Sequence, residues 1–276
     1  MGKYLSIDET ALSKGELYTI ITNKKAKGKK GAIVAIIEGT RVEPIIEQLL
    51  KIPKSIRDKV QEITLDMANS MKMIAKKCFP KATQVTDRFH VQKLALEALQ
   101  DIRIKHRWEA IDLENQQIKQ AKTKQIEFHP ETFSNGDTKK QLLARSRYLL
   151  YKAPNNWTQN QYLRSKILFE QYPDIKKAYN LVQGLRNIFN TATSIQIAYT
   201  KLAHWYKDVE QTGFRAFNTI VNTITINYRS ILNYFINRST NASAESFNAK
   251  IKAFRAQFRG VKNVEFFLFR LTRIFA

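Results

Sequence analysis

The sequence predicts an α/β protein whose sheet is laid down early, interrupted by a large all-α insertion, and completed by helices at the far end. Three observations predict this. Five short β-prone runs fall within the first ninety residues, no convincing strand follows between Leu94 and Arg238, and a stripe of Phe247, Ile251, Phe254 and Phe258 marks an amphipathic helix near the end. The expected organisation is a core of residues 1–93, an all-α insertion of residues 94–238, and C-terminal core helices in residues 239–276. This is one core interrupted, not two domains in series.

Tyr4–Asp8 and Glu16–Thr22 are the first two runs, followed by the basic, Gly-bearing turn Asn23–Gly31. Ala32–Glu38 is the third, ended by Gly39, and the short connections suggest an antiparallel meander. Glu43–Leu50 has helical spacing, with Ile45, Ile46, Leu49 and Leu50 on one face and Pro44 in the first turn. Glu62–Leu65 is a fourth strand ending at Asp66, and Met67–Cys78 is a helix that Pro80 stops. Thr83–Thr86 is a fifth strand ending at Asp87, and Val91 opens a long helical pattern. Within the helical block, 131–139 reads as a loop, while 154–156 and Pro173 read as helix boundaries. Trp108, Trp157 and Trp205 also fall there, where core packing is the default and base stacking the alternative.

Composition narrows the function. Of 276 residues 43% are hydrophobic and 11% aromatic, enough for a packed core and unlike a disordered basic tail. The longest apolar stretch, 32–37, is too short to span a membrane, and no charged-then-apolar leader opens the sequence. A lone Cys78 excludes an internal disulfide and any Cys-based zinc cluster, which suits a reducing cytoplasm. The net charge of +22 draws polyanions, and exchange of condensed counterions for Lys and Arg drives binding to a phosphate backbone. General solubility and an anionic membrane surface are the competing readings; charge spread over a folded, aromatic-rich chain favours nucleic acid. Lys24, Lys25, Lys27, Lys29 and Lys30 in the first turn, and Lys250, Arg255 and Arg259 near the end, are the candidate DNA-binding cations. Gly28 and Gly31 favour reading the turn as a phosphate clamp over a solvated hairpin.

Three acids stand out against this basic background: Asp8 within the first strand, Asp66 at the end of the fourth, and Glu245 on the terminal helix. A carboxylate in or just after an apolar strand costs desolvation energy unless it is paired or metal-bound. Oxygen-rich sites suit Mg2+ or Mn2+, and two such ions can activate an attacking hydroxyl and stabilise the leaving oxygen. At about 100° per residue Glu245 lies opposite the Phe247/Ile251/Phe254 stripe, with Asn241, Asn248 and Lys252 on its own side.

The chain resembles the insertion-sequence DDE transposases of the ISL-three type. The resemblance rests on Tyr4-Leu-Ser-Ile-Asp8-Glu-Thr, Thr64-Leu-Asp66-Met, Asp87-Arg-Phe-His90-Val, Arg145-Ser-Arg-Tyr148-Leu-Leu and Asn241-Ala-Ser-Ala-Glu245-Ser-Phe-Asn248-Ala-Lys-Ile-Lys252. It implies an RNase H-like fold with a mixed five-stranded sheet and a helical insertion before the last acid. It also implies Asp8, Asp66 and Glu245 as ligands of two Mg2+ (or Mn2+) ions. In the strand order so implied, the fourth strand borders the first, so Asp66 lies nearer Asp8 than Asp87 does. Asp87 and His90 resemble the D/C-x-x-H element that follows the second acid in related transposases. They are expected, with Asn248 and Lys252, to be accessory.

The function so implied is metal-dependent nicking and strand transfer at insertion-sequence ends, on double-stranded DNA of transposon ends and target. The protein is expected to be cytoplasmic and nucleoid-associated, with no membrane partner, acting as a homodimer or larger assembly on DNA. The sequence starts almost on the first catalytic strand, with no Cys/His cluster or helix pair before it. A companion zinc/helix-turn-helix subunit, or a truncated product, is therefore expected. The alternatives are a truncated or domesticated non-catalytic DNA-binding accessory protein and a structure-specific nuclease on the same fold.

Overall fold

The structure, a computed structural model, describes residues 1–12, 15–257 and 263–276. Two compact units emerge, one of Met1–His90 and Ile224–Ala276, the other of Val91–Thr223.

The first unit is built on β1 (Tyr4–Ala11), β2 (Leu17–Asn23) and β3 (Ile33–Glu38), which form the antiparallel meander. Helices α1 (Val42–Leu50) and α2 (Lys54–Arg57) lead to β4 (Glu62–Leu65), and α3 (Asn69–Cys78) leads to β5 (Thr83–Thr86). Both later strands run parallel to β1, giving the order β3-β2-β1-β4-β5. A parallel pair needs a crossover of a dozen or more residues, and the helices supply it. β1 runs to Ala11, three residues past its expected end, because β2 keeps pairing with it as far as Ala11 with Leu17. Asp8 is therefore held inside a strand.

Side-chain alternation gives the sheet two different faces. Leu5, Ile7, Ile21, Ile63 and Leu65 pack with Ile45, Ile46 and Leu49 of α1 and Met71, Ile74, Ala75 and Cys78 of α3. On the opposite face, Tyr18, Ile20 and Ile33 pack with Phe247 and Ile251 of α13 (Ala242–Gln257) and Phe267 and Leu271 of α14 (Val264–Phe275). This mixed five-stranded sheet, flanked by helices and interrupted by a helical block, is an α/β fold of the RNase H-like kind. Residues 224–238 already belong to this unit. Asn233 Nδ2 donates to the Gln84 carbonyl (2.9 Å), the Ser230 and Thr86 hydroxyls share a 2.8 Å hydrogen bond, and Asn237 Nδ2 donates to Glu62 (3.0 Å).

The second unit is all-helical. It comprises most of α4 (Arg88–Thr123), then α5 (Lys139–Arg145), α6 (Arg147–Tyr151), α7 (Gln159–Gln171), α8 (Pro173–Thr191), α9 (Ile195–Thr212) and most of α10 (Arg215–Ile226). Short helices α11 (Tyr228–Leu232) and α12 (Tyr234–Asn237) return the chain to the sheet. Thr138 and Thr158 open α5 and α7 with reciprocal capping boxes, their hydroxyls accepting from Gln141 and Gln161. Trp205 is buried with Nε1 donating to the Leu181 carbonyl, and Trp157 stacks on Tyr179 at 5.6 Å; both are packing residues. Trp108 departs from that default, with 61% of its surface exposed. No helix among the described residues is long and apolar enough to cross a membrane.

Candidate active site

Register brings the acids of the central strands together. β1 and β4 pair Tyr4 with Glu62 and Ser6 with Thr64, and the same offset puts Asp66 level with Asp8. β4 and β5 pair Leu65 with Thr86, so Asp87 follows level with Asp66 one strand further out. Neighbouring strands lie about 4.8 Å apart, so Asp66 is one strand from Asp8 and Asp87 two. Asp8 shares its face with Ser6 and Ile20, the face that α13 covers.

Helix α13 is fastened over these acids by its asparagines. Ser6 Oγ donates to Asn241 Oδ1 (2.6 Å), and the Asn241 backbone N–H donates to Asp87 Oδ2 (3.0 Å). One turn past Glu245, Asn248 Nδ2 donates to Asp8 Oδ2 (2.7 Å). Phe247 and Ile251 fill the opposite side of the helix, so the apolar stripe anchors it and the polar side faces the acids. Asp87, 1% exposed, also accepts from the Phe89 N–H (3.1 Å), capping the first turn of α4 and tying β5 to both helices. Asp66 accepts from the Ala68 N–H (2.9 Å) ahead of α3.

Among the described residues, Asp87, His90 and Glu245 bring three ligand atoms within 4.8 Å of one another; Asp8 and Asp66 lie outside that tight group. The structure thus assembles Glu245 with the Asp87/His90 pair and leaves Asp8 facing Asp66.

These carboxylates have no direct ion-pair partner among the described residues, although Lys72 lies within electrostatic reach of Asp66 and Lys24 of Asp87. Among the described residues no ion pair joins Lys or Arg to Asp8, Asp66, Asp87 or Glu245. Burial pushes the Asp8 carboxyl above its ordinary value and Asp66 adds to the rise, against the Glu9 N–H, His90 and Asn248. Glu245 is raised by partial burial and then by Asp87 and Asp8, with His90 opposing. Glu9, beside Asp8, is raised by burial and by Asp66 and Asp8. Such mutual repulsion is relieved by a cation. The donor set is mainly carboxylate oxygen with one imidazole, and a buried Asn248 Oδ1 beside Asp8 has no hydrogen-bond partner among the described residues. That chemistry fits a hard divalent ion such as Mg2+ or Mn2+.

The basic turn lies next to α13. Lys25, Lys27, Lys29 and Lys30 are exposed, while a Cβ on Gly28, whose φ is +71°, would meet Phe247 at 3.3 Å and Lys250 Nζ at 3.4 Å. Glycine is needed there for both the left-handed backbone and the close approach. Lys27, Arg238 and Lys250, with Ser243 and Ser246, are among the residues that line a cleft of about 560 Å3. Lys24 turns inward: Nζ donates to Thr64 Oγ1 (2.7 Å) and sits 3.7 Å from Glu62. Burial depresses its ammonium, against the pull of Glu62 and Asp87. Arg255 pairs with Glu16 (3.2 Å) and lies over the Phe267 ring. Lys250 and Lys252 are exposed, and Arg259 lies outside the described residues. The Lys24–Thr64–Glu62 network and the Ser6–Asn241 bond were missed from sequence; the polar Ser6 sharing a face with Asp8 was the one local signal.

A transposase for insertion sequence element IS1001 from Bordetella parapertussis is 22% identical to this chain over 277 residues, which is 99% of this chain and 61% of that protein. The chain thus spans about three fifths of the length of the curated relative it matches. A family model described as transposase, of the DDE type and the ISL-three group, matches residues 5–271. With that match running from β1 to α14, the chain belongs to the ISL-three family of DDE transposases.

Proposed function

We propose that this chain is the catalytic core of a DNA transposase, nicking DNA at insertion-sequence ends and transferring the freed strand to target DNA. Asp8, Asp66 and Glu245 are the ligands of two Mg2+ or Mn2+ ions in this reading. The observation that carries it is the register that puts Asp66 level with Asp8, beneath a helix bearing Glu245, with none of the three in an ion pair to Lys or Arg among the described residues. Bound there, such ions supply a lowered pKa for the attacking hydroxyl and charge stabilisation for the leaving oxygen. The protein's own groups hold the ligands: the Glu9 N–H and Asn248 orient Asp8, and Asp87 fixes the start of α13 and so the position of Glu245. His90 stands within reach of the Glu245 carboxylate and steadies it.

Lys25, Lys27, Lys29, Lys30, Lys250 and Lys252 hold the DNA backbone, positioning a strand without reading its sequence. End recognition is then the task of other parts, a zinc/helix-turn-helix element or subunit, and assembly on paired ends is homodimeric or larger. Its substrate places the protein on the nucleoid. The test is incubation of labelled end duplexes with Mg2+ or Mn2+, with any recognition subunit required. A metal-dependent nick that leaves a 3′ hydroxyl is expected. Firm DNA binding with no nick under either ion would instead make the chain an accessory protein.

A second ligand set is favoured by one observation, the tight grouping of Asp87, His90 and Glu245. Asp87 is 1% exposed and its oxygens hold the backbone N–H groups that open α4 and lead into α13, which favours a positioning role. Asp66→Asn should abolish Mn2+ uptake, and Asp87→Asn should lower it while loosening α13. The reverse order of effects would assign the second ligand to Asp87.

A further inference from the structure

Asn248 is satisfied on one side only. Its Nδ2 donates to Asp8 Oδ2 at 2.7 Å, while its Oδ1 is buried without a hydrogen-bond partner among the described residues, in a residue that is 6% exposed. The amide cannot simply be reversed, because its oxygen would then face the Asp8 carboxylate oxygen with no proton between them. Buried acceptors are paired as a rule, and a bare one costs about 1–3 kcal/mol. The two amide heteroatoms are about 2.2 Å apart from covalent geometry, so Oδ1 lies within about 5 Å of the Asp8 carboxylate. Opposite ligands of an octahedral Mg2+ are about 4.2 Å apart. An amide oxygen here also adds a ligand without adding charge, where Asp8, Asp66 and Glu9 already crowd three carboxylates together.

We propose that Asn248 is a fourth, neutral oxygen ligand of the acid site: Oδ1 coordinates the divalent ion held by Asp8, and Nδ2 fixes Asp8 for that same ion. This rests on the reading that Asp8 holds a cation. The alternative is a residue that only orients Asp8. The two differ in what a carboxylate does at this position, because aspartate keeps an oxygen ligand but cannot donate to Asp8.

Mn2+ uptake by the whole chain without DNA, followed by loss of the free-ion electron paramagnetic resonance signal, separates them. Wild type, Asp8→Asn, Asn248→Leu and Asn248→Asp are compared, with metal-free melting curves for each. Asn248→Leu should weaken Mn2+ binding about tenfold or more, on the scale of losing a supporting contact or ligand. Its metal-free melting should change little, because the bare oxygen goes with the bond. Asn248→Asp should bind within about threefold of wild type, or more tightly. Asn248→Leu binding like wild type, or Asn248→Asp failing as badly as Asn248→Leu, overturns the proposal while leaving Asp8 as a ligand. If Asn248→Leu gives no cooperative melt, Asn248→Ala replaces it under the same criterion. Wild type and Asp8→Asn binding alike, or not at all, overturns the acid-site reading and this proposal with it.

Discussion

Asp137 and Asp8 are both carboxylates drawn out of water in a chain with 46 Lys and Arg against 24 Asp and Glu, and they end in opposite states. Asp137, in the helical unit, is fully buried and held by Arg145, by Arg164 (2.9 Å) and by Asn135 (2.9 Å). Burial pushes its carboxyl up, but the two guanidiniums outweigh burial and keep it below its ordinary value. Among the described residues Asp8 receives only neutral donors, the Glu9 N–H and Asn248, and burial, with Asp66 adding to it, holds its carboxyl above the ordinary value. A chain this rich in cations has no shortage of partners for Asp8. Withholding them leaves negative potential at one place, and a dication can use it only if no guanidinium is already there.

The largest effect that sharpens this contrast is on chemistry. Asp8→Asn keeps the shape and removes the charge, and nicking should fall on the order of a thousandfold or more, the scale of losing a group that meets transition-state charge. DNA affinity, measured on the same variant, should hold or rise slightly. Near wild-type nicking would remove Asp8 from the site.

Asp137→Asn should instead leave activity per folded molecule unchanged and cost stability, about 3 kcal/mol. That is the lower end for breaking a buried pair, because Arg145 is half exposed and can turn to water. Calorimetry of wild type and variant checks this; an unchanged transition would make the Asp137 cluster ornamental.

Acidity should then pull the two regions apart. Asp137, with its folded value depressed, contributes stability above its ordinary 3.8 and loses it as pH falls through the lower folded value. Asp8 and Glu245, with raised folded values, behave oppositely. Their contribution is complete below the ordinary 3.8 and 4.5, and is lost as pH climbs through the raised values in metal-free protein. Saturating Mg2+ should cancel that upper loss and leave the acid limb alone. Identical metal-free and Mg2+-loaded profiles would break the comparison.

The smallest effect is at the basic turn. Lys27→Gln should weaken DNA binding severalfold at low salt and reduce the slope of log affinity against log salt by about one. Lys24→Gln should leave that slope alone, since Lys24 is already spent on Thr64 and Glu62.

What was legible in the sequence was local. Alternation in Leu5-Ser6-Ile7-Asp8 and the turn residues around Gly28 and Gly39 mark strands because each side chain declares its own face. The four- and three-residue spacing of Phe247, Ile251 and Phe254 marks α13 for the same reason. The strand order implied by the family resemblance, with β4 beside β1 and β5 beyond it, is the order observed. What sequence hid depends on partners far along the chain. Lys24 looks like one lysine in a solvated run until Thr64 arrives 40 residues later, with Glu62 just before it. Arg255 looks free until Glu16 is set against it. Asn248 stood out by its side of the helix, but nothing local says which of its two atoms Asp8 takes.

The bond between Asn241 and Asp87 crosses 154 residues, and that between Ser6 and Asn241 crosses 235. Ribosomes add roughly 5–20 residues each second, so the sheet waits on the order of 10–30 s for the helix that closes over it. Throughout that interval Asp8, Asp66 and Asp87 exist without Glu245 or Asn248. The cleft cannot close before α13 has been made, however early the sheet beneath it folds.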